Sequence, residues 1–217
     1  MNNIITIDGT SGSGKTTVAK IICDKLQYNL LDSGAHYRAI AYVSKKYKLN
    51  LATITKTADR FRILADAIYF DEELLNIYIY TEEVAKQASK IAVNENIRSL
   101  AATLHKKSNF IPGLVATGRD MGSVVFKDAK YKFFLKIQPD QASKRRFEQL
   151  KKNNRNANLN QIKSMIIERD KRDSLRESAP LTVPDGAFVI DTSDISAKEV
   201  SDSIINIINN LNRDKQQ

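Results

Sequence analysis

The sequence has no tryptophan, a single cysteine, two histidines and four prolines among its 217 residues. With Cys23 alone, neither an intramolecular disulfide nor a cysteine-built zinc site can form. His36 and His105 lie far apart in the chain, which argues against a histidine metal centre. His105 is expected at the surface, and Cys23 as a small buried hydrophobe on a helix. No apolar run approaches the ~20 residues that cross a bilayer. Met1-Asn2-Asn3 carries no basic segment and Ile4-Ile5-Thr6-Ile7 is too short for a signal-peptide core, so no membrane partner and a cytoplasmic location are expected.

What is present is ordinary in bulk. Hydrophobic residues make up 42% and charged residues 27%, the balance of a soluble globular chain long enough for one domain with a small insertion. The net charge of +9 is unevenly placed: eleven Lys/Arg against four Asp/Glu fall between Lys144 and Arg176, a local balance of +7. A nucleic-acid binder more often shows a broad basic face or aromatic stacking platforms. Confined charge without tryptophan argues against a nucleic-acid partner, and the competing reading is a solvated Lys/Arg surface.

Periodicity predicts strands alternating with helices. Ile4, Ile5, Thr6 and Ile7 form a β-branched run that stops at Asp8-Gly9, as a buried parallel strand would. Lys15 to Gln27 reads as a helix with Val18, Ile21, Ile22 and Leu26 on one face. Leu30-Leu31 is a second short strand, followed by a helix capped by Asp32 or Ser33. Leu51 to Leu64 looks helical, whereas Ala67–Phe70 and Leu75–Tyr80 look like the arms of a hairpin turning at Asp71-Glu72-Glu73. Helical patterns run from about Thr81 to Lys107. Strands are expected at Leu114–Ala116, Phe133–Ile137 and Ala187–Ile190. Pro139 is placed to open a helix, and Ser196 with Glu199 forms a capping box for the last one. Asn153 to Asn160 reads as a mobile connector. The pattern predicts an α/β fold, a parallel sheet flanked by helices.

The chemistry is concentrated at Gly9-Thr10-Ser11-Gly12-Ser13-Gly14-Lys15-Thr16, which matches the Walker A pattern in every fixed position. Its glycines let backbone N–H groups turn inward around phosphate oxygens. Lys15 can place a charge on the β- and γ-phosphates, and the Thr16 hydroxyl can ligate Mg²⁺. The helix N-terminus points at the same anion. The donor-binding set is therefore Gly9, Thr10, Ser11, Gly12, Ser13, Gly14, Lys15, Thr16 and Thr17, for ATP with Mg²⁺. The Asp-x-x-Gly and Asn-Lys-x-Asp patterns of GTPases are missing, as is a strand ending in paired acids of the motor type. Arginines beside polar residues follow instead, the set needed to bring two polyanions in line and cancel their repulsion.

Four segments in order carry a specific likeness: Ile7-Asp8-Gly9 with the glycine-rich loop, Leu31-Asp32-Ser33-Gly34-Ala35-His36-Tyr37-Arg38, Gly118-Arg119-Asp120-Met121-Gly122, and Glu168-Arg169-Asp170-Lys171-Arg172-Asp173. From Ile5 to about Leu211 the chain resembles the bacterial cytidylate kinases (CMP/dCMP kinases) of the nucleoside monophosphate kinase family. The resemblance implies transfer of the terminal phosphoryl group of ATP to CMP or dCMP by a monomer acting on small molecules. It implies one P-loop kinase domain over 1–217, with an acceptor-binding insertion at 35–107 and a mobile lid at 144–172. It also implies cytosine contacts at Ser89, Arg98 and Asp120, and acceptor-phosphate contacts at Arg38, Arg119 and Arg176 with Tyr37 nearby. Ribose contacts would fall on Arg169 and Asp173, with Ser33 close to the sugar. Lys15 and arginines of the basic stretch, from Arg145, Arg146, Arg169 and Arg172, would stabilise charge in transfer, with Arg119 beside them. Spacing agrees in part, because Arg169, Asp173 and Arg176 at i, i+4 and i+7 share a helix face; a surface ion-pair ladder is the plainer reading of that spacing. The family usually has an acid just before Gly-Arg-Asp, where this chain has Thr117, and the stretch from the hairpin to Ser89 is shorter than usual. The alternatives are a P-loop kinase for UMP, AMP or shikimate, a nucleic-acid-associated ATPase, and a regulatory module that holds nucleotide without turnover.

Overall fold

Six consecutive buried residues, Ile4–Gly9, make strand β1, and burial on both faces requires helices above and below a sheet. The computed structural model, which describes residues 3–64, 66–108, 111–152 and 157–213, supplies them. Strand β2 (Asn29–Asp32) is followed by β6 (Leu114–Gly118), β7 (Tyr131–Lys136) and β8 (Phe188–Asp191) in a five-stranded sheet ordered β2-β6-β1-β7-β8. All four pairings are parallel. Helices α1 (Lys15–Leu26) and α8 (Ala197–Arg213) pack Val18, Ile22, Val200 and Ile204 against Ile5, Ile7 and Phe133. Cys23 joins this cluster, and burial pushes its thiol up to about 12. The α/β reading holds, as do the capping features: the Asp32 carboxylate accepts from Ala35 N, α6 (Pro139–Lys152) opens at the proline, and Ser196 and Glu199 exchange hydrogen bonds at 2.8 and 3.2 Å. Ligands in such sheets collect beyond the carboxyl ends of the strands. Here those ends are Gly9, Asp32, Gly118 and Lys136.

Residues between Ala35 and Leu104 build a second core of their own. It joins α2 (Ser33–Lys46), α3 (Leu51–Ile54), α4 (Glu82–Ile91) and α5 (Glu95–Lys106) to an antiparallel sheet of β3 (Phe61–Leu64), β4 (Ala67–Phe70) and β5 (Glu73–Leu74). Two expectations are corrected here. Leu51 to Leu64 is not one helix; after α3 and a 3₁₀ turn the chain extends, with Phe61 and Ile63 buried and Arg62 and Leu64 exposed, a two-residue period. Leu75 to Tyr80 is not a hairpin arm. Only Glu73 and Leu74 pair with β4, and then Leu75 O accepts from Tyr78 N and Ile79 N, which tucks Leu75 and Ile79 into the core. The helical patterns of 81–107 form α4 and α5, and the side chain of Asn94 between them caps α5. Part of the Asn-rich connector, 153–156, lies outside the described residues.

His105 is not at the surface. It is 2% exposed and stacks on buried His36, with ring centroids 5.1 Å apart. Among the groups whose charge reaches the pair are Asp32, Arg38 and Arg98. Burial brings His36 down to about 4, and burial and His36 push His105 well below its ordinary value. A histidine held neutral in the fold binds fewer protons than in the unfolded chain, so its stabilisation is present above pH ~6.5 and is lost as pH falls toward 4. For His36 alone that is about 3 kcal/mol. The melting temperature should fall by about 5–10 °C between pH 6.5 and 4.5. His36→Phe, which keeps a stacked ring without the titrating imidazole, should flatten that fall, and superimposable pH profiles of the two proteins would rule His36 out as its source.

Candidate active site

The glycine-rich loop is shaped by its contacts with β7. Gly9 has φ +146°, and a Cβ there would stand 1.9 Å from the Leu135 carbonyl oxygen, so no other residue fits. Thr10 N donates to Leu135 O at 3.1 Å, and the Thr10 hydroxyl accepts from Ile137 N at 3.3 Å. Gly14, at φ +85°, turns the chain into α1. Lys15 is half-buried rather than an exposed loop residue, and its Nζ donates to Thr10 O at 2.6 Å and reaches Ser13 Oγ at 3.3 Å. Burial, then the neighbouring Arg119, holds its ammonium well below the usual lysine range. A cation so placed gains by meeting an anion.

Facing the loop is the turn after β6. Asp8, fully buried at the end of β1, accepts from Met121 N at 2.9 Å and Gly122 N at 2.7 Å. That fixes a wide, π-type turn at Met121–Val125, a local geometry often found at functional sites. The cost is visible: burial raises the Asp8 carboxyl to about 6 despite the two N–H donors. With the turn fixed, Arg119 and Asp120 point to opposite duties. Arg119 donates to Gly9 O at 2.9 Å, Ser11 Oγ at 2.8 Å and Asp173 at 2.9 Å, tying the loop to α7 (Leu159–Leu175). Asp120, 3% exposed, is ion-paired with Arg98 and lies 3.7 Å from Arg176.

One cleft of about 270 Å³ gathers most of the expected residues. One side is lined by Ser11, Gly12, Gly14, Lys15, Thr16 and Thr17. Its other walls carry Ser33, Tyr37, Arg38, Ser89, Arg119 and Asp120, with Arg169, Asp173 and Arg176 from and just beyond α7. Gly9, Thr10 and Ser13 form the back of the loop. Arg98 stands behind Asp120 and over the Tyr37 ring, 5.9 Å from its centroid. Arg38 pairs with Asp32 at 3.2 Å, and Arg176 Nε donates to Ala179 O at 2.6 Å. Arg169 lies 3.9 Å from Asp173; burial, then Arg119, lowers its proton affinity, and burial, then Arg98, does the same to Arg176.

The remaining arginines go elsewhere. Arg172 donates to Ser89 Oγ at 2.8 Å, bridging α7 to α4. Arg145 donates to the carbonyls of Thr192, Ser193 and Ile195, bracing the chain between β8 and α8, and Arg146 pairs with Glu82. Sequence reasoning missed the roles of Asp8 and Asp170. An acid closing an apolar strand was the available signal for Asp8. Asp170 sits in a charged run that reads as solvated surface.

Against known proteins, the family model described as cytidylate kinase matches residues 5–210. The cytidylate kinase of Clostridioides difficile (strain 630) is 37% identical over 96% of this chain and 99% of its own. Cytidylate kinase 1 of Haemophilus influenzae is 40% identical over 93% of this chain and 91% of its own. Among solved structures, shikimate kinase from Bacteroides thetaiotaomicron superposes with a TM-score of 0.50 at 14% identity over 97% of this chain and 98% of that one, a likeness of fold.

Asp8→Ala tests the turn. It leaves two buried N–H groups without an acceptor, at about 1–3 kcal/mol each, partly offset by removing a costly buried carboxylate. A net loss of about 2–4 kcal/mol in urea unfolding is expected; an unchanged midpoint would mean that the carboxylate does not hold the turn.

Proposed function

The chain belongs to the cytidylate kinase family, and from that membership we propose how its own residues move a phosphoryl group from ATP to CMP or dCMP. The reaction itself is the family's: ATP-dependent phosphorylation of (d)CMP, giving ADP and (d)CDP. The observation that carries the residue assignment is the single cleft in which Lys15 and the glycine-rich loop face Arg119, Asp120 and α7. The loop amides and Lys15 hold the donor phosphates. Arg38, Arg119 and Arg176 hold the acceptor phosphate, with Tyr37 alongside. Ser89, Arg98 and Asp120 read the cytosine, while Asp173, Arg169 and Ser33 flank the sugar. Lys15, Arg119 and Arg169 crowd one another, and two phosphate groups relieve that repulsion as they are drawn into line.

Mg²⁺ fits the donor set: Thr16 lines the cleft, and Thr117, 2% exposed with an unpaired hydroxyl, stands beside it. Hydroxyls and phosphate oxygens suit a hard cation that keeps several of its waters. When bound, Mg²⁺ would draw charge from the donor's β- and γ-oxygens. The arginine set supplies the remaining positive charge. In this reading 35–107 is the acceptor-binding insertion and 144–172 the lid, and the enzyme is a cytoplasmic monomer acting on small molecules. Among the described residues no helix is long and apolar enough to cross a membrane.

An acceptor screen with CMP, dCMP, UMP, AMP, GMP and shikimate tests the reading; turnover of CMP and dCMP well above the rest is expected, and preference for another acceptor overturns it. Lys15→Ala should lower kcat/KM by at least ~10²-fold while moving the melting temperature by only a few degrees. Near-wild-type turnover would remove Lys15 from the chemistry.

Asp120 separates base reading from phosphate reading. Its carboxylate accepts from the cytosine 4-amino group, and uracil offers a carbonyl there, so CMP should exceed UMP by ~10²-fold or more in kcat/KM. Asp120→Asn should cut the CMP rate and narrow the ratio, because an amide can donate to a carbonyl. Arg119→Ala should weaken all monophosphates alike. Equal loss of CMP and UMP in Asp120→Asn would make Asp120 structural only.

A further inference from the structure

Asp170 lies on α7 one residue beyond Arg169, and its carboxylate reaches the glycine-rich loop. Both Oδ atoms accept from the Ser11 N–H, at 2.9 and 3.1 Å, and Arg119 Nη2 lies 3.7 Å away. Ser11 is buried and lines the cleft beside Lys15. Its amide belongs to the row of loop N–H groups whose geometry suits a phosphate oxygen. A carboxylate oxygen offers the same charge sign and the same accepting lone pairs. One N–H carries one proton, and a carboxylate gripping it from both oxygens leaves no room for a phosphate oxygen at hydrogen-bond distance.

We propose that Asp170 is a tethered competitor of the donor nucleotide: it takes the Ser11 N–H that a donor phosphate oxygen would use, so donor binding must displace it and break this contact between α7 and the loop. This rests on the phosphate-binding reading of the loop given above. The charge balance follows the same exchange. Asp170 is an anion that offsets Lys15 and Arg119, and an arriving phosphate takes over that task while the carboxylate moves to water. Because Asp170 is part of the same chain, it returns without a diffusional step, at the high effective concentration of an intramolecular group. It therefore weakens donor binding and helps expel ADP. The residue also shares a helix with Arg169 and Asp173, the latter bonded to Arg119. Displacing it moves acceptor-side groups together with the donor.

Asp170→Asn keeps the size and removes the charge; Asp170→Ser serves if the first variant does not fold. Dissociation constants for ADP would be measured by calorimetry, without and with Mg²⁺, in wild type, in the Asp170 variant and in Lys15→Ala. Exchange of the Ser11 amide would be followed in nucleotide-free protein. The expected result is ADP binding tighter by about fivefold or more in the Asp170 variant, with faster exchange at Ser11. Unchanged or weaker ADP binding overturns the proposal, as does weakening confined to the Mg²⁺ series, which would make Asp170 a helper of the metal. Tighter binding with unchanged Ser11 exchange also overturns it, because simple charge repulsion would then suffice. Lys15→Ala separates the two levels: if it binds ADP like wild type, the loop reading itself fails, whereas a weakened Lys15→Ala beside an unaltered Asp170→Asn defeats only the competitor.

Discussion

Positive charges crowded at one point are the constraint that organises this molecule. Lys15, Arg119 and Arg169 come from the glycine-rich loop, the turn after β6 and α7; Arg119 lowers the proton affinity of both Lys15 and Arg169, and Arg169 lowers that of Lys15. Such a cluster has no reason to assemble unless carboxylates balance it or an anion is meant to enter. Carboxylates do balance it here: Asp173 and Asp170 accept from Arg119 and the loop, and Asp120 faces Arg98 and Arg176. Acids and bases here form a preorganised field, with little capacity left over for general-base chemistry, which phosphoryl transfer to a phosphate scarcely needs.

The sheet makes that field possible. Parallel register puts Asp8 opposite Gly118 and Gly9 opposite Leu135, so the glycine-rich loop and the Arg119 turn emerge side by side. Asp8 then fixes the turn from within the core. A carboxyl raised to about 6 by burial is a poor way to gain stability. Its value is positional: two N–H groups are held, and with them the directions of Arg119 and Asp120. Gly9 answers the same demand from the other side, because the loop passes so close to Leu135 that any Cβ would collide.

How legible this was in the sequence varied with the kind of signal. The parallel sheet, the loop, Asp32 as a cap and the Ser196–Glu199 box are written in local patterns, and each reading held. The stretch from 51 to 80 misled where burial is set by distant partners. Phe61 and Ile63 face a core built largely from α2, α4 and α5, which no window around them reveals, and Leu75 and Ile79 mimic a strand while serving as turn anchors. His105 looked like surface because its neighbour in space, His36, is 69 residues away in the chain. The glycine-rich motif and the resemblance together located most cleft-lining residues, yet they could not say that Arg172 would meet Ser89 or that Arg145 would brace β8 and α8. Those choices depend on helix rotation, which a run of charges leaves undetermined.

The contacts of α7 also join three parts of the fold that lie far apart in the chain. Within five residues this helix bonds to the glycine-rich loop through Asp170, to α4 through Arg172 and to the Arg119 turn through Asp173. Residues 170 and 172 point to different sides of the helix, and 169 with 173 share a third direction. A rigid helix therefore cannot shift at one of these contacts without straining the other two. Each contact alone is a single hydrogen bond or ion pair worth about 1–3 kcal/mol, weak enough for a substrate to replace. Three such contacts on one helix make its position a shared property of all three parts of the fold. Coupling of this kind needs no long-range pathway through the core, because one helix carries all three contacts.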